Sequence, residues 1–270
     1  MLYIGVDLGT SAVKLLLLDD NGVIRKRISR EYPLQFPHPG WAEQDPEDWF
    51  VQAMEGIKEL TAECDRREVA GISFGGQMHG LVALDRNDAV IRPAILWNDG
   101  RTGEETEYLN QVIGKEMLSA YTANIAFAGF TAPKILWMKK HEPENFEKIS
   151  KLMLPKDYLA YRLSGSFCTD MSDASGTLLL DVRNRCWSKE MLKICGITKE
   201  QLPKLHESYE AVGHLKPDIA KELGLSEATR IIAGAGDNAA AAIGTGTVGD
   251  GKCNISLGTS GTVFISSEKF

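Results

Sequence analysis

A mixed α/β fold is predicted by three features of the 270-residue sequence. Three strand-like segments follow one another over residues 2–31. Glycine turns close strand-like runs at Asp7–Ser11, Gly75–Gly76 and Gly234–Gly236. Helical and strand patterns alternate thereafter. Strands should therefore pair first as a meander and later return with helices between them, which differs from a purely doubly wound sheet.

The elements read as follows. Tyr3–Val6 is an apolar run closed by Asp7-Leu8-Gly9-Thr10-Ser11, and Val13–Leu18 is a second run. Asp19-Asp20-Asn21-Gly22 is a hairpin turn, with Asn-Gly its strongest signal, and Val23–Glu31 returns as a third strand. Asp45-Pro46 marks a helix start, Asp as N-cap and Pro at the first position. Glu43 reads as part of the same start. Trp49, Phe50, Ala53, Met54, Ile57 and Leu60 follow at helical spacing and read as a core stripe. Val69–Phe74 and Leu81–Leu84 are strand-like. Ile95-Leu96-Trp97 is a short strand leading into a charged helix from about Arg101 to Ile113. Helical patterns dominate 133–164 and 188–223. Arg230–Ala233 is strand-like, Asn238–Ile243 a helix of small residues, and Asn254–Leu257 a final strand.

Hydrophobic residues make up 43% and charged residues 25%, an ordinary globular balance. The net charge of −7, with an isoelectric point near 5.4, argues against nucleic acid or anionic membrane as partner. Five cysteines at 64, 168, 186, 195 and 253 are widely spaced and form no C-x-x-C, so reduced thiols are expected rather than zinc ligands or disulfides. Leu15–Leu18 is too short to span a bilayer, and no leader pattern follows Met1. Cytoplasmic localisation is the expectation.

Six segments carry chemistry. In Asp7–Ser11, a tight turn between strands offers consecutive amides and short hydroxyls, a concavity that suits phosphate oxygens. Asp7 could hold Mg²⁺ through water, and Lys14 could reach a phosphate as a point charge. A plain hairpin turn with an Asx bond accounts for the same residues. Gly258-Thr259-Ser260 repeats the turn near the other end, as if two half-sites faced one ligand. In Gly234–Asn238, Asp237 precedes a helix. It is either an N-cap, which would depress its pKa, or a base towards a sugar hydroxyl. Gly75–Gly80 frames Gln77, Met78 and His79, which could contact a polyol or form a surface turn. His38, His141, His206 and His214 read as solvated. Asn98, Asp99 and Arg101 end a strand and could read hydroxyls or cap a helix. Thr169–Ser175 reads as an Asx-rich turn or as a further polar cluster.

In this order, the motifs resemble the FGGY carbohydrate kinase family over nearly the whole chain. They are Ile4–Lys14, Gly40–Trp49, Ile72–Gly80, Arg92–Arg101, Leu154–Gly165, Thr169–Ser175, Gly234–Gly246 and Ile255–Phe264. The resemblance implies ribonuclease-H-like, actin-like ATPase domains, each a mixed sheet flanked by helices, around a cleft. Residues 1–250 would be the N-terminal sugar-binding domain. Residues 251–270 would be the first hairpin of a truncated C-terminal nucleotide-binding domain, so this chain alone is expected to be poorly active. The implied cofactors are ATP and Mg²⁺, and the implied partner is a small-molecule sugar. Gln77–Gly80 points within the family to ATP-dependent phosphorylation of D-xylulose to xylulose 5-phosphate. Carried over by position, Asp237 resembles the catalytic base and Asp7 the catalytic residue that organises the metal. Met78, His79, Asp237 and Asn238 resemble substrate contacts. Gly9, Thr10, Ser11, Lys14, Gly258, Thr259 and Ser260 resemble phosphate-binding residues. An unpaired strand edge after Lys252 would favour association with another chain, such as a homodimer. Three other readings stay open. One is another member of the family, acting on gluconate, ribulose or glycerol. The second is a non-catalytic sugar-binding module. The third is an actin-like or chaperone ATPase, which needs neither the polar loop nor Asp237.

Overall fold

The computed structural model describes residues 1–257 and 261–267. The expected meander is present: β1 (Leu2–Leu8), β2 (Ala12–Asp19) and β3 (Ile24–Glu31) pair antiparallel. Alternate residues of β1 and β2 are buried, the period-two signature of a sheet face resting on a core. The Asp19 carboxylate closes the β2–β3 turn by accepting the Asn21 and Val23 amides at 2.9 and 3.0 Å. Helix α1 (Pro46–Leu60) starts where the sequence places it, with Asp45 accepting the Glu47 amide. Its Trp49, Ala53, Met54, Ile57 and Leu60 are all buried.

β4 (Val69–Gly76) then enters parallel to β1 on the side away from β2. There follow α2 (Thr131–His141), α3 (Pro155–Ser164), β5 (Cys168–Asp170), α4 (Met171–Ser175) and β6 (Lys204–His206). After them come β7 (Ala211–His214), α5 (Pro217–Leu223), β8 (Arg230–Ile232), β9 (Ala235–Gly236), α6 (Asp237–Gly244) and the hairpin of β10 (Cys253–Leu257) and β11 (Gly261–Ile265). The central sheet runs β7-β8-β4-β1-β2-β3, with β9 also pairing β4. β8 and β9 are two stretches of one line along β4, interrupted at Ala233–Gly234. This interruption is where β9 is aimed. Gly234 has φ +77°, and a Cβ there would lie 2.2 Å from the Phe74 carbonyl oxygen. Only glycine fits.

Two apolar cores support the fold. One packs α1, α3 and α5 on the sheet, around Trp49, Ile57, Ile72, Tyr158 and Leu223. The other lies around α2 and residues 174–202, with Ile135, Trp137, Leu179 and Met191.

Three expectations are corrected. The charged helix does not begin at Arg101. The Asp99 carboxylate fixes the Arg101 amide at 2.9 Å, and helix starts only after Thr102, as Gly103–Glu107. A π-wound stretch, Tyr108–Gly114, and a further helix, Lys115–Thr122, continue it. The 133–164 region is not all helix, because Lys151–Met153 pairs with Val82–Leu84. The 188–223 region holds β6 and β7 between helices. Its first helix stops at Cys195 because Gly196 takes the left-handed conformation and accepts no further turn.

Gly234→Ala should cost at least about 2 kcal/mol, since a positive φ and a backbone clash add together. Urea unfolding of the purified chain reads this directly. An unchanged midpoint would show that the β8–β9 interruption relaxes freely.

Candidate active site

The Asp7–Ser11 turn is held from four directions. Gly9 N donates to Ala12 O at 3.1 Å. The Tyr32 hydroxyl donates to Gly9 O. Gln44 Nε2 donates to Thr10 O at 2.7 Å, and Trp97 Nε1 donates to Thr10 Oγ1 at 2.9 Å. The buried Gln44 thus couples this turn to the start of α1, where Trp49 Nε1 donates to its Oε1 at 3.0 Å. Gln77, also buried, extends the lattice by donating to Gln44 Oε1 at 3.2 Å. A turn anchored this way keeps its outward hydroxyls and amides preorganised.

The turn forms one wall of a cleft of about 1420 Å³. Asp7, Gly9, Thr10, Ser11, Lys14, Asn98, Asp237 and Asn238 all line it, with Asn254, Ser256 and Thr262 of the β10–β11 hairpin opposite. Gly258, Thr259 and Ser260 lie outside the described residues. Register explains how Asp7 and Asp237 meet. Asp7 and Ala235 are both partners of Gly75, on opposite sides of β4. Two strand spacings put these strand ends roughly 10 Å apart. Gly75, between them on β4, lines the cleft without a side chain.

Asp237 corrects one expectation. It is the first residue of α6, with Gly236 as N-cap, and its side chain does not cap the helix. Its carboxyl is not depressed. The cleft's withdrawal of water pushes it above the ordinary carboxylate range, the Asn238 amide opposes this, and the Asp7 charge adds to it. Asp7 is likewise raised by burial, against the pull of Lys14. Asp7 and Asp237 both bring hard carboxylate oxygens to the cleft, the donor type that suits a divalent cation. The described residues contain no cluster of three or more metal-binding side chains, so such an ion would draw its other ligands from water and phosphate.

Behind β9 lies the polar loop. Met78 packs against Gly236, and Asn238 Nδ2 approaches Met78 Sδ at 3.7 Å. His79 adopts φ +67°, stacks on Phe130 at 4.6 Å between ring centroids, and places Nδ1 2.7 Å from Gly176 O. A carbonyl can only accept, so Nδ1 carries the proton and Nε2 is left as an acceptor. Burial pushes the imidazole down to about 4 despite that carbonyl, so the ring is neutral at physiological pH. The His79 carbonyl is clamped by Thr131 Oγ1 at 3.1 Å and Lys134 Nζ at 2.8 Å. Lys134, fully buried, is pushed down to about 7. As expected, His38, His141 and His214 are exposed, whereas His206 is half-buried and faces Glu210.

Asp99 and Arg101 take a different place from the one expected. The Asp99 oxygens accept from Ala42 N at 2.6 Å and from the Arg101 amide, Nε and Nη2 at 2.7–2.9 Å, which uses all four acceptor positions. Arg101 also pairs with Glu43 at 2.6 Å and lies 3.7 Å over the Trp41 ring centroid. These residues build the wall beneath Asn98 rather than face the cleft. Glu43 is correspondingly no helix-start residue but a buried partner of Arg92 and Arg101.

Sequence reasoning missed Lys156. Its fully buried ammonium lies 2.7, 2.9 and 3.7 Å from Asp157, Asp170 and Asp173. Thr169–Ser175 is not simply an Asx-rich turn: it ends β5 and forms α4, with Asp170 as N-cap accepting the Ser172 amide at 2.8 Å, and the same carboxylate also reaches this lysine. A Lys-Asp pair after Pro155 reads as a solvated first turn, and nothing local signals otherwise.

A sheet presenting a phosphate-type turn and an acid across one cleft is the frame of an actin-like phosphotransferase. The model for the N-terminal domain of the FGGY family of carbohydrate kinases matches residues 2–244, and the chain belongs to this family. It is 45% identical over 269 residues to the xylulose kinase of Escherichia coli (strain K12), covering 100% of this chain and 55% of that protein. The crystal structure of a xyloylose kinase from Brucella ovis matches with a TM-score of 0.91 at 42% identity, over 98% of this chain and 54% of that one. That of gluconate kinase from Lactobacillus acidophilus matches with a TM-score of 0.92 at 32% identity, over 97% and 53%. The chain spans about half the length of these relatives.

His79 should remain neutral with Nδ1 protonated down to about pH 5, a tautomer that nitrogen chemical shifts report. Its folded pKa lies below the unfolded value of 6.5, so its contribution to stability is full above pH 6.5 and is lost as pH falls towards 4. A titration midpoint near 6.5 would contradict the burial and the Gly176 contact.

Proposed function

We propose that this chain is the sugar-binding half of a kinase that transfers the γ-phosphoryl group of ATP to D-xylulose, giving ADP and xylulose 5-phosphate. Residues 1–250 form the sugar-binding domain. The β10–β11 hairpin begins the nucleotide-binding side, a reading supported by its exposed Ile255, Leu257, Val263 and Ile265, which need cover. The observation that carries the proposal is the placement of Asp237 and Asp7 on opposite flanks of β4 within one cleft. The reading places the protein in the cytoplasm, where ATP is available. No helix among the described residues is long and apolar enough to cross a membrane.

The chemistry follows from these groups. The sugar's terminal hydroxyl oxygen forms a bond to the γ-phosphorus while the bond to the ADP oxygen breaks, and Asp237 accepts the hydroxyl proton. The transition state is loose and the proton leaves late, so a carboxylate suffices as base. A raised pKa makes Asp237 a better base than a capping Asp would be. His79 Nε2 and Asn98 accept and donate to the remaining hydroxyls, with Met78 as the apolar floor. Gly9, Thr10, Ser11 and Lys14 receive the phosphates, as Gly258, Thr259 and Ser260 would from the other side. Mg²⁺, held by Asp7 and water, would neutralise phosphate charge when bound.

In the natural full-length protein, Asp237→Asn should lower turnover by about 10²–10⁴-fold while sugar affinity changes by less than about threefold. ADP release and calorimetric sugar binding measure the two. Wild-type turnover in this variant would remove Asp237 as base. A panel of xylulose, ribulose, gluconate and glycerol decides the substrate, and preference for gluconate would align the chain with the Lactobacillus acidophilus relative instead.

A further inference from the structure

Helix α4 touches both halves of the candidate site, although no role follows for its side chains from the phosphoryl-transfer chemistry. Near its start, Ser172 Oγ donates to Asp170 Oδ2 at 2.5 Å and accepts the Gly236 amide at 3.2 Å. Gly236 is the residue before Asp237. Just after its end, Gly176 O holds His79 Nδ1 at 2.7 Å. Beneath, Asp170 is anchored by Lys156 at 2.9 Å and by Ser208 Oγ at 2.8 Å.

We propose that Ser172 is a positioning residue, and that Asp170–Gly176 is a brace setting the separation between His79 and Asp237. The inference rests on the kinase reading of those two residues. A simple Asx turn requires only the Ser172 amide on Asp170. The Ser172 hydroxyl does more, bridging two elements that are otherwise joined through the end of β4. Asp170 is completely buried and fixed by an ammonium that is itself 1% exposed, so the bridge ends on a rigid point. Without the hydroxyl, the Gly236 amide loses this acceptor, while Ala235 and Gly236 keep their pairing with Gly75 and Gly76. The residue gaining freedom is then Asp237, whose contribution is made in the transition state more than in sugar binding.

The test compares Ser172→Ala and Ser172→Thr in the natural full-length protein. Alanine should lower kcat about tenfold, the worth of one backbone hydrogen bond, and shift KM for the sugar less than about threefold. Threonine, which keeps the hydroxyl, should recover kcat to within about threefold. Hydrogen exchange by mass spectrometry is read on the same samples. Exchange in the segment around residues 234–238 should quicken about tenfold in the alanine variant, with β4 unchanged. Wild-type kcat in Ser172→Ala, or a loss in threonine equal to that in alanine with exchange at 234–238 unaltered, overturns the proposal. The exchange arm requires no catalysis. If the wild-type protein phosphorylates no sugar, the kinase reading fails, and unaltered exchange in Ser172→Ala still overturns the brace.

Discussion

One buried ammonium holds the floor of this site together. Lys156 Nζ is the cation among Asp157, Asp170 and Asp173, all withdrawn from water. Burial alone would drive the proton off the lysine, but the three carboxyls outweigh it and keep the ammonium charged. One positive charge cannot balance three negative ones. Burial therefore pushes Asp173 well above the usual carboxylate range, while Lys156 and two serines outweigh burial and hold Asp170 below it. Removing such a cation strands buried charge and typically costs about 3–5 kcal/mol. The lysine also lies against the end of β4, where a Cβ on Gly76 would come within 3.1 Å of its own. Helix α3, β5, α4 and the β4 terminus all converge on it.

Above this floor the site is divided between elements of different kinds. Strand register sets where the Asp7–Ser11 turn and Asp237 lie, through the pairing of Asp7 and Ala235 with Gly75, and a one-residue slip of β4 would turn its own side chains to the opposite face. The lattice of Gln44, Gln77, Trp49 and Trp97 then stiffens the turn without using any charged group. Keeping charge out of that lattice leaves Asp7, Lys14, Arg27 and Asp237 as the charged groups lining the cleft.

Much of this was legible locally. The Asp7–Ser11 turn, the Asp45 cap and the Trp49–Leu60 stripe are short-range signals, and each appears where its residues indicate. What was hidden depends on partners distant in sequence. Glu43 finds Arg92 and Arg101, 49 and 58 residues away, and Lys156 finds Asp170 and Asp173 through the turn of the chain between α3 and α4. For Asp237 the local residues left two readings open, an N-cap or a base, because an acid before a helix fits both. Its side chain does not cap the helix, and withdrawal from water in the cleft, which no local signal shows, raises its pKa. The strands β6 and β7 were masked because each is only three or four residues long and flanked by helical patterns.

The two apolar cores carry these parts unequally. Phe74, beside Gly75, belongs to the sheet core, whereas His79 leans on Phe130, and Lys134 grips it from the helix that carries Ile135, Trp137 and Met138. Repacking the second core would therefore reach His79, through Phe130 and Lys134, and also Gly236, through the helix that carries Ala174 and Ser172. A substitution in the second core is thus transmitted at once to His79 and to the turn before Asp237, whereas one in the sheet core is felt first at Phe74 and the strands beside it.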